Sequence, residues 1–341
     1  MTARVAVFGL GRMGAGYESI AGVPRNHLAA ILGTPGLELV AAIDPSADRR
    51  AAAARAYPAI TGRLYAGPDL ESSRTIDLAV ISTPSEVREC VASSALAAKP
   101  RLVIFEKPLA VTIDEARRLV AATTAIGAQL RVNFHRRLAP EMVALRAEAR
   151  APVRAIQARY GKGLLNYGTH LIDLLIEWCG RPDEAQALAA SSGHPSDPTI
   201  SFRLRFEGGA EALVLGLEGT HYDVFDVCFL QDCTMVEIRA GGAERSVWRS
   251  ELDRHYAGYT HLALQADASA EGPLGGLAEL YRAAAANLLD GAPMPGCDAA
   301  DALTGLEVIE AIKMSATHGG VKVPLLLVFN PDLTNHRQER M

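Results

Sequence analysis

Arg4-Val5-Ala6-Val7-Phe8-Gly9-Leu10-Gly11-Arg12-Met13-Gly14 is the stretch from which the rest of the chain can be read. Four apolar residues of strand character, Val5 to Phe8, run into Gly9, Gly11 and Gly14. That is G-x-G-x-x-G, placed where a first parallel strand would turn into a helix. Gly9 permits the tight turn, Gly11 lets backbone N–H groups close on a pyrophosphate, and Gly14 lets helix and strand pack closely. Arg12 and Met13 lie inside the turn and join the same cofactor-binding set. An anion there meets unpaired N–H groups and the positive end of a helix dipole.

Outward from this stretch the chain alternates strands and helices. Strand candidates are 5–8, 37–43, 78–82, 102–106 and 129–133, near-continuous apolar runs of the kind buried on both faces. Helical patterns fill 87–98 and 113–126, the second opened by a Thr112/Glu115 capping box and closed by Gly127. Repeated βα units predict a doubly wound parallel sheet, with its ligand crevice at the carboxyl ends of the strands. Asp44 closes the second strand 30 residues after Gly14, against about 20 for a ribose-binding acid. The excess lies in 15–26, where Pro24 cannot sit inside a first helix. The expectation is an inserted loop, either beside the cofactor or a mere surface excursion, then a helix capped by Asn26 and running to Gly33.

Bulk properties narrow the class. The 341 residues are enough for two domains with separate cores. A net charge of −5 gives no electrostatic reason to expect nucleic acid or an anionic membrane. No apolar run reaches the roughly 18–20 residues of a membrane span. Met1 to Arg4 leads straight into a strand, and the five cysteines are scattered without C-x-x-C. Reduced thiols of a cytoplasmic protein are expected, with no metal site. The basic residues are 29 Arg and only 5 Lys.

From Leu138 the pattern changes. A short helix at 140–150 leads to a strand at 153–160 and a helix at 169–179. Strands then follow at 199–206, 210–217, 224–230, 234–238 and 243–248, with Gly208-Gly209 and Gly241-Gly242 as hairpin signals. Two late helices, 277–289 and 299–317, precede a strand at 321–328. The expected organisation is an α/β chain. A Rossmann-type domain fills 1–134, an α+β domain with a large mixed or antiparallel sheet fills 135–329, and 330–341 is a polar tail.

Several residues then stand out as chemistry. Asp44 is placed to accept both ribose hydroxyls of NAD, and its charge repels a 2′-phosphate. Arg49 and Arg50 keep NADP open, and a helix cap before Pro45 is the plainer role for Asp44. Thr83-Pro84 ends the third major strand, where it could border the cofactor or be only a strand-to-loop turn. Glu106-Lys107-Pro108 follows the buried run 102–105, at the mouth of the crevice. A Lys here, in a chain that otherwise uses Arg, suits a compact ammonium that donates to a substrate hydroxyl and favours its alkoxide. In 166–173, Asn166, His170 and Asp173 fall at i, i+4 and i+7, one face of a helix. His170 there suits a proton acceptor near neutral pH, with a core histidine as the plainer alternative. Lys162 could pair with a substrate carboxylate or phosphate, or be an exposed turn residue. The loop 250–273 carries Tyr256 among other polar aromatics, which could line a sugar site or simply cross the surface.

Taken in order, Gly9-x-Gly11-x-x-Gly14, Asp44, Thr83-Pro84, Glu106-Lys107-Pro108, Arg137-x-x-Pro140, Gly168-x-His170-x-x-Asp173 and Val321-x-Val323-Pro324 resemble the glucose–fructose oxidoreductase/inositol dehydrogenase (Gfo/Idh/MocA) family. The resemblance spans nearly the whole chain. It implies an NAD(P)-binding Rossmann domain and a C-terminal domain whose open sheet builds a homodimer or homotetramer. It further implies hydride transfer at a secondary alcohol or ketone of a sugar, cyclitol or nucleotide sugar. By the same resemblance Lys107 and His170 are catalytic, with Asn166 and Asp173 fixing substrate and imidazole. Glu106 and Asn133 join the cofactor set, and Arg137, Lys162 and Tyr256 join the substrate set. The family's usual Asp, four residues before the His, is Asn166 here, so His170 would act alone on the proton. Two other readings stand beside this one. One is net hydrolysis or elimination with a recycled NAD. The other is a non-catalytic NAD-binding regulator, which the retained Lys107 and His170 argue against and Asn166 argues for.

Overall fold

The computed structural model describes residues 2–67, 75–149, 151–189, 193–269 and 274–325. The tail 330–341 and the end of the last predicted strand lie outside these.

The first sheet has six parallel strands. They are β1 (Ala3–Phe8), β2 (Leu37–Ile43), β3 (Leu64–Tyr65), β4 (Leu78–Ile81), β5 (Leu102–Phe105) and β6 (Gln129–Val132). Their order is β3-β2-β1-β4-β5-β6, so the chain reverses direction across the sheet between β1 and β4. Alternate side chains go to opposite faces. Val5, Val7, Val80 and Ile104 enter one buried cluster, while Ala6, Phe8, Ile81 and Phe105 enter the other. Both faces are dry, which is why these strands read as unbroken apolar runs. The flanking helices are α1 (His27–Leu32), α2 (Ala47–Ala56), α3 (Arg88–Ala97) and α4 (Ile113–Ala125). The predicted Asn26 cap of α1 forms through Ala29 N–H, and the Thr112/Glu115 capping box of α4 is complete. Helix α2 was not predicted, because its alanine-rich sequence carries almost no apolar stripe and buries only Ala53.

The second sheet is built around β7 (Ala155–Tyr160), which follows α5 (Pro140–Glu148). Helix α6 (Thr169–Cys179) comes next, then β8 (Pro182–Ala189) and the short pair β9 (Gly193–His194) and β10 (Asp197–Pro198). The remaining strands are β11 (Ser201–Phe206), β12 (Glu211–Gly216), β13 (Phe225–Leu230), β14 (Thr234–Arg239), β15 (Glu244–Leu252) and β16 (Thr260–Ser269). Helices α7 (Gly276–Asp290) and α8 (Ala299–Thr317) and strand β17 (Val323–Pro324) complete the described chain. The nine-stranded order is β16-β15-β14-β13-β7-β12-β11-β8-β17, antiparallel except between β7 and β12. Strands β8 and β16 were missed. The first is polar and the second was read as part of the loop 250–273, yet it pairs along all of β15. Helix α7 follows the second sheet in the chain but buries Leu277, Leu280 and Tyr281 against the core of the first.

Candidate active site

The strands of the first sheet end in register, and this sets the floor of a cleft. Gly9, Ser82, Glu106 and Asn133 each donate a backbone N–H to a carbonyl at the end of a neighbouring strand. Gly9 has φ +100°, and a Cβ there would stand 2.6 Å from the Ser82 carbonyl oxygen. A Cβ on Gly14 would collide with the Gly9 carbonyl, whereas one on Gly11 would meet nothing within 4 Å. Gly11 therefore faces the space where a pyrophosphate belongs. The helix expected after the glycines is instead one wide turn, closed by Gly16 N–H to Gly11 O at 3.1 Å and Tyr17 N–H to Arg12 O at 3.0 Å. Its first N–H groups have no partner within the turn and remain open to an anion. Glycines at 14 and 16 and Pro24 keep it from propagating, so helix proper begins at His27.

A cavity of about 1050 Å³ extends from this turn. Asp44 lies at one end, Thr83 and Pro84 along one wall, and Lys107 and Asn166 at the other end. Asp44 is held by Leu10 N–H to Oδ2 at 2.8 Å and Ser46 N–H to Oδ1 at 2.9 Å. Oδ1 keeps a further lone pair for a ribose hydroxyl. Arg50 donates to the Asp44 and Pro45 carbonyls, while Arg49 reaches Asp44 Oδ2 at 3.5 Å from the rim. Ser82 Oγ and Thr83 Oγ1 are buried without a hydrogen-bond partner among the described residues. An open glycine cradle, an anchored acid and two orphaned hydroxyls along one trough fit a dinucleotide.

Lys107 Nζ crosses from the first sheet to donate to Asn166 O at 2.9 Å and Asn166 Oδ1 at 3.2 Å. Burial pushes its pKa below the usual lysine value; Glu106 opposes this, and the charges of Arg136 and Arg88 add to it. Asn166 is held by Asp197, which accepts Leu165 N–H at 2.6 Å and Asn166 N–H at 2.9 Å. A wide turn, 164–168, carries Asn166 into α6, and His170 lies on the first turn of that helix. The His170 ring stands edge-on to Phe134 and Tyr167, with centroids at 5.5 and 6.3 Å. Burial and the charges of Arg136 and Lys107 hold its pKa well below 6.5, so the imidazole is neutral at pH 7.

Other expected site residues lie elsewhere. Asp173 does not face His170 or the cleft; it forms a buried pair with Arg137, whose guanidinium also binds Glu177 and Asp301. Burial raises Asp173 to about 6, Arg137 opposing and Asp301 reinforcing the shift. The i+7 spacing placed Asp173 on the His170 side, but a cation behind the helix captures it. Arg137 is thereby engaged by three carboxylates. Asn133 is buried and donates to Glu106 Oε1, so it supports the cleft from below instead of lining it. Tyr256 stands exposed at the tip of the β15–β16 hairpin beside Tyr259, outside both cavities of the cleft. The hairpin carries it away on the sheet's outer edge. Lys162 is paired with Asp223 and lies 5.5 Å from the Tyr167 ring centroid.

Sequence reading missed a buried chain beneath Lys107. Tyr281 Oη and His27 Nδ1 are 2.6 Å apart, and His27 Nε2 and Glu106 Oε1 are 2.9 Å apart. Burial would raise the Glu106 pKa, but the His27 and Asn133 hydrogen bonds lower it to about 2. Arg88 was also missed; it donates to Thr83 O at 2.7 Å and to the Pro108 carbonyl, tying two cleft loops together. A second cavity of about 390 Å³ meets the first at Met13 and is lined by His135, Arg136, Tyr167 and Arg25. Burial and Arg136 lower His135 to about 4, so it too is neutral. Among the described residues no three His, Cys, Asp or Glu side chains gather to hold a metal, and no helix is long and apolar enough to cross a membrane.

A glycine turn and a strand-end acid at the carboxyl edge of a doubly wound sheet, in one cavity with Lys107 and Asn166, define a dinucleotide-binding fold. Residues 3–134 match the model of the Gfo/Idh/MocA oxidoreductase family, NAD-binding Rossmann fold. Inositol 2-dehydrogenase 1 of Saccharopolyspora erythraea is 34% identical over 148 residues, 42% of this chain and 40% of the relative. The rhizopine catabolism protein MocA of Rhizobium meliloti is 27% identical over 189 residues, 50% of this chain and 55% of the relative. The chain thus spans about half or less of the length of the curated relatives it matches. Among solved structures, the WlbA dehydrogenase from Bordetella pertussis, in complex with NADH and UDP-GlcNAcA, superposes with a TM-score of 0.73 at 21% identity. That superposition covers 96% of this chain and 100% of that one. The aldose-aldose oxidoreductase from Caulobacter crescentus, complexed with glycerol, gives 0.74 at 19% identity, covering 95% and 100%. At these identities the superpositions establish the shared fold.

Proposed function

We propose that the chain is an NAD-dependent dehydrogenase or ketoreductase acting on a secondary alcohol or ketone of a sugar, cyclitol or nucleotide sugar. The observation that carries this reading is the Lys107 ammonium reaching across the cleft mouth to Asn166, four residues before a neutral His170. NAD, when bound, supplies the hydride acceptor. Gly9, Gly11 and the first N–H groups of the wide turn would hold its pyrophosphate, and Asp44 its ribose. A substrate hydroxyl would replace Asn166 as the partner of Lys107 Nζ, whose charge then favours the alkoxide. His170 would take the hydroxyl proton, being a neutral imidazole on the helix that follows Asn166. Asn166 cannot take a proton and would orient the substrate.

NADH formation across a panel of cyclitols, sugars and nucleotide sugars tests this. The dehydrogenase reading requires stoichiometric NADH. Product without net NADH would point to the recycling reaction, and NAD binding without turnover of any panel member would point to a regulator. We further propose a homodimer or homotetramer through the outer face of the second sheet. Leu213, Leu215, Leu262 and Leu264 lie exposed there; sedimentation as a monomer would exclude such an assembly.

A further inference from the structure

The cavity of about 390 Å³ beside the cofactor trough has an unusual balance of charge. Arg136 enters it from the turn after β6, directly beyond Asn133. Its Nε donates to Gly241 O at 3.2 Å, and its guanidinium carbon lies 4.7 Å from the Phe225 ring centroid. Arg25 enters from the opposite wall on the segment inserted between the glycine turn and α1, with its guanidinium carbon 5.4 Å from the Tyr17 ring centroid. Both cations are thus held by rings and a carbonyl, and Arg136 also by a hydrogen bond to the Tyr167 side chain. Among the described residues no carboxylate forms an ion pair with either. The one acid on the cavity wall, Asp223, is engaged by Lys162, and Asp173 is engaged by Arg137. His135 is neutral, so the cavity is net positive in a chain of net charge −5.

Leaving a partly buried guanidinium without a counter-ion is costly, and proteins seldom do so without a purpose. Burial lowers the Arg136 pKa, a penalty that a bound anion would relieve. We infer that this cavity is the substrate's anion subsite, in which Arg136 and Arg25 receive a carboxylate or phosphate carried by the polyol. Planar guanidinium forks match both oxygen groups, whereas a neutral polyol has no charge to offer them. The volume is near the lower end of ligand pockets, which suits a single acidic sugar ring more than a whole nucleotide sugar. The inserted segment thereby acquires a role. It carries the second arginine to the substrate and closes that side of the cavity.

The inference rests on the dehydrogenase reading for its substrate but is tested separately by binding. Calorimetry on the NADH-loaded protein would compare D-gluconate, D-glucuronate and D-glucose 6-phosphate with D-glucose and myo-inositol. At low salt at least one acidic probe should bind about 10-fold or more tighter than its neutral counterpart, as expected for charge-assisted hydrogen bonds. The carboxylate and phosphate arms identify which anion the site takes. Arg136→Gln and Arg25→Gln should each remove most of that preference. The Arg25 variant, on the more open wall, keeps the test valid if Arg136→Gln does not fold. Equal affinities for acidic and neutral probes, no binding by any acidic probe, or an unchanged preference in Arg25→Gln would overturn the inference. Tight acidic binding that never leads to NAD reduction would support the subsite while overturning the dehydrogenase reading. Turnover of neutral polyols alone would do the reverse.

Discussion

Lys107 and His170 are both shifted toward their neutral forms, for related reasons. Each is desolvated, and each lies in the positive field of Arg136. In the proposed reaction Lys107 works as an ammonium, so activity should fall as pH rises through its lowered pKa. The alkaline limb of kcat/KM should therefore lie below 10.5, and Arg136→Gln should move it upward. In the same proposal His170 works as the free base, so the acid limb should lie below 6.5. A wild-type profile with limbs at the unshifted values, unchanged in Arg136→Gln, would contradict this electrostatic account. At this scale the sequence was informative wherever scarcity and position coincided: one of few lysines, at the end of a buried strand. It misled at Asp173, because helical spacing gives a face but not the group waiting behind it. Arg137, 36 residues away in the chain, supplied that group.

Between elements, the buried Tyr281–His27–Glu106 chain joins α7, α1 and the end of β5 directly beneath the cleft. His27→Ala would remove one of the hydrogen bonds that hold the buried Glu106 charge, leaving that of Asn133, and losing a hydrogen bond to a charged group costs about 1.5–3 kcal/mol. Urea unfolding at neutral pH should show a loss of that order; a change near zero would mean that the chain contributes little. The pH dependence has a definite sign. Glu106 falls from 4.5 to about 2 on folding, so its contribution is complete above 4.5 and is lost as pH falls toward 2. In His27→Ala that slope should flatten. The anomalous spacing between Gly14 and Asp44 did mark the segment that leads to His27. Its partner, 79 residues further on, could not be read from spacing because it is chosen by packing. For the same reason β16 was missed: its apolar run, Leu262 to Leu264, is too short to mark a strand apart from its partner β15.

For the molecule as a whole, the parallel sheet was legible because strands buried on both faces must be apolar throughout. The mixed character of the second sheet was legible from short alternating runs and double glycines. How the two sheets meet was not, since that depends on contacts between residues far apart in the chain. The meeting point is the central claim: Lys107 from the first sheet and His170 from the helix beside the second act together on one substrate carbon. The most direct measurement is single-turnover NADH formation by the wild type, Lys107→Met and His170→Gln, each saturated with NAD and with a substrate found in the panel. The account predicts that each variant still binds NAD but forms NADH about 10²-fold more slowly or worse. Wild-type rates in both variants would contradict it.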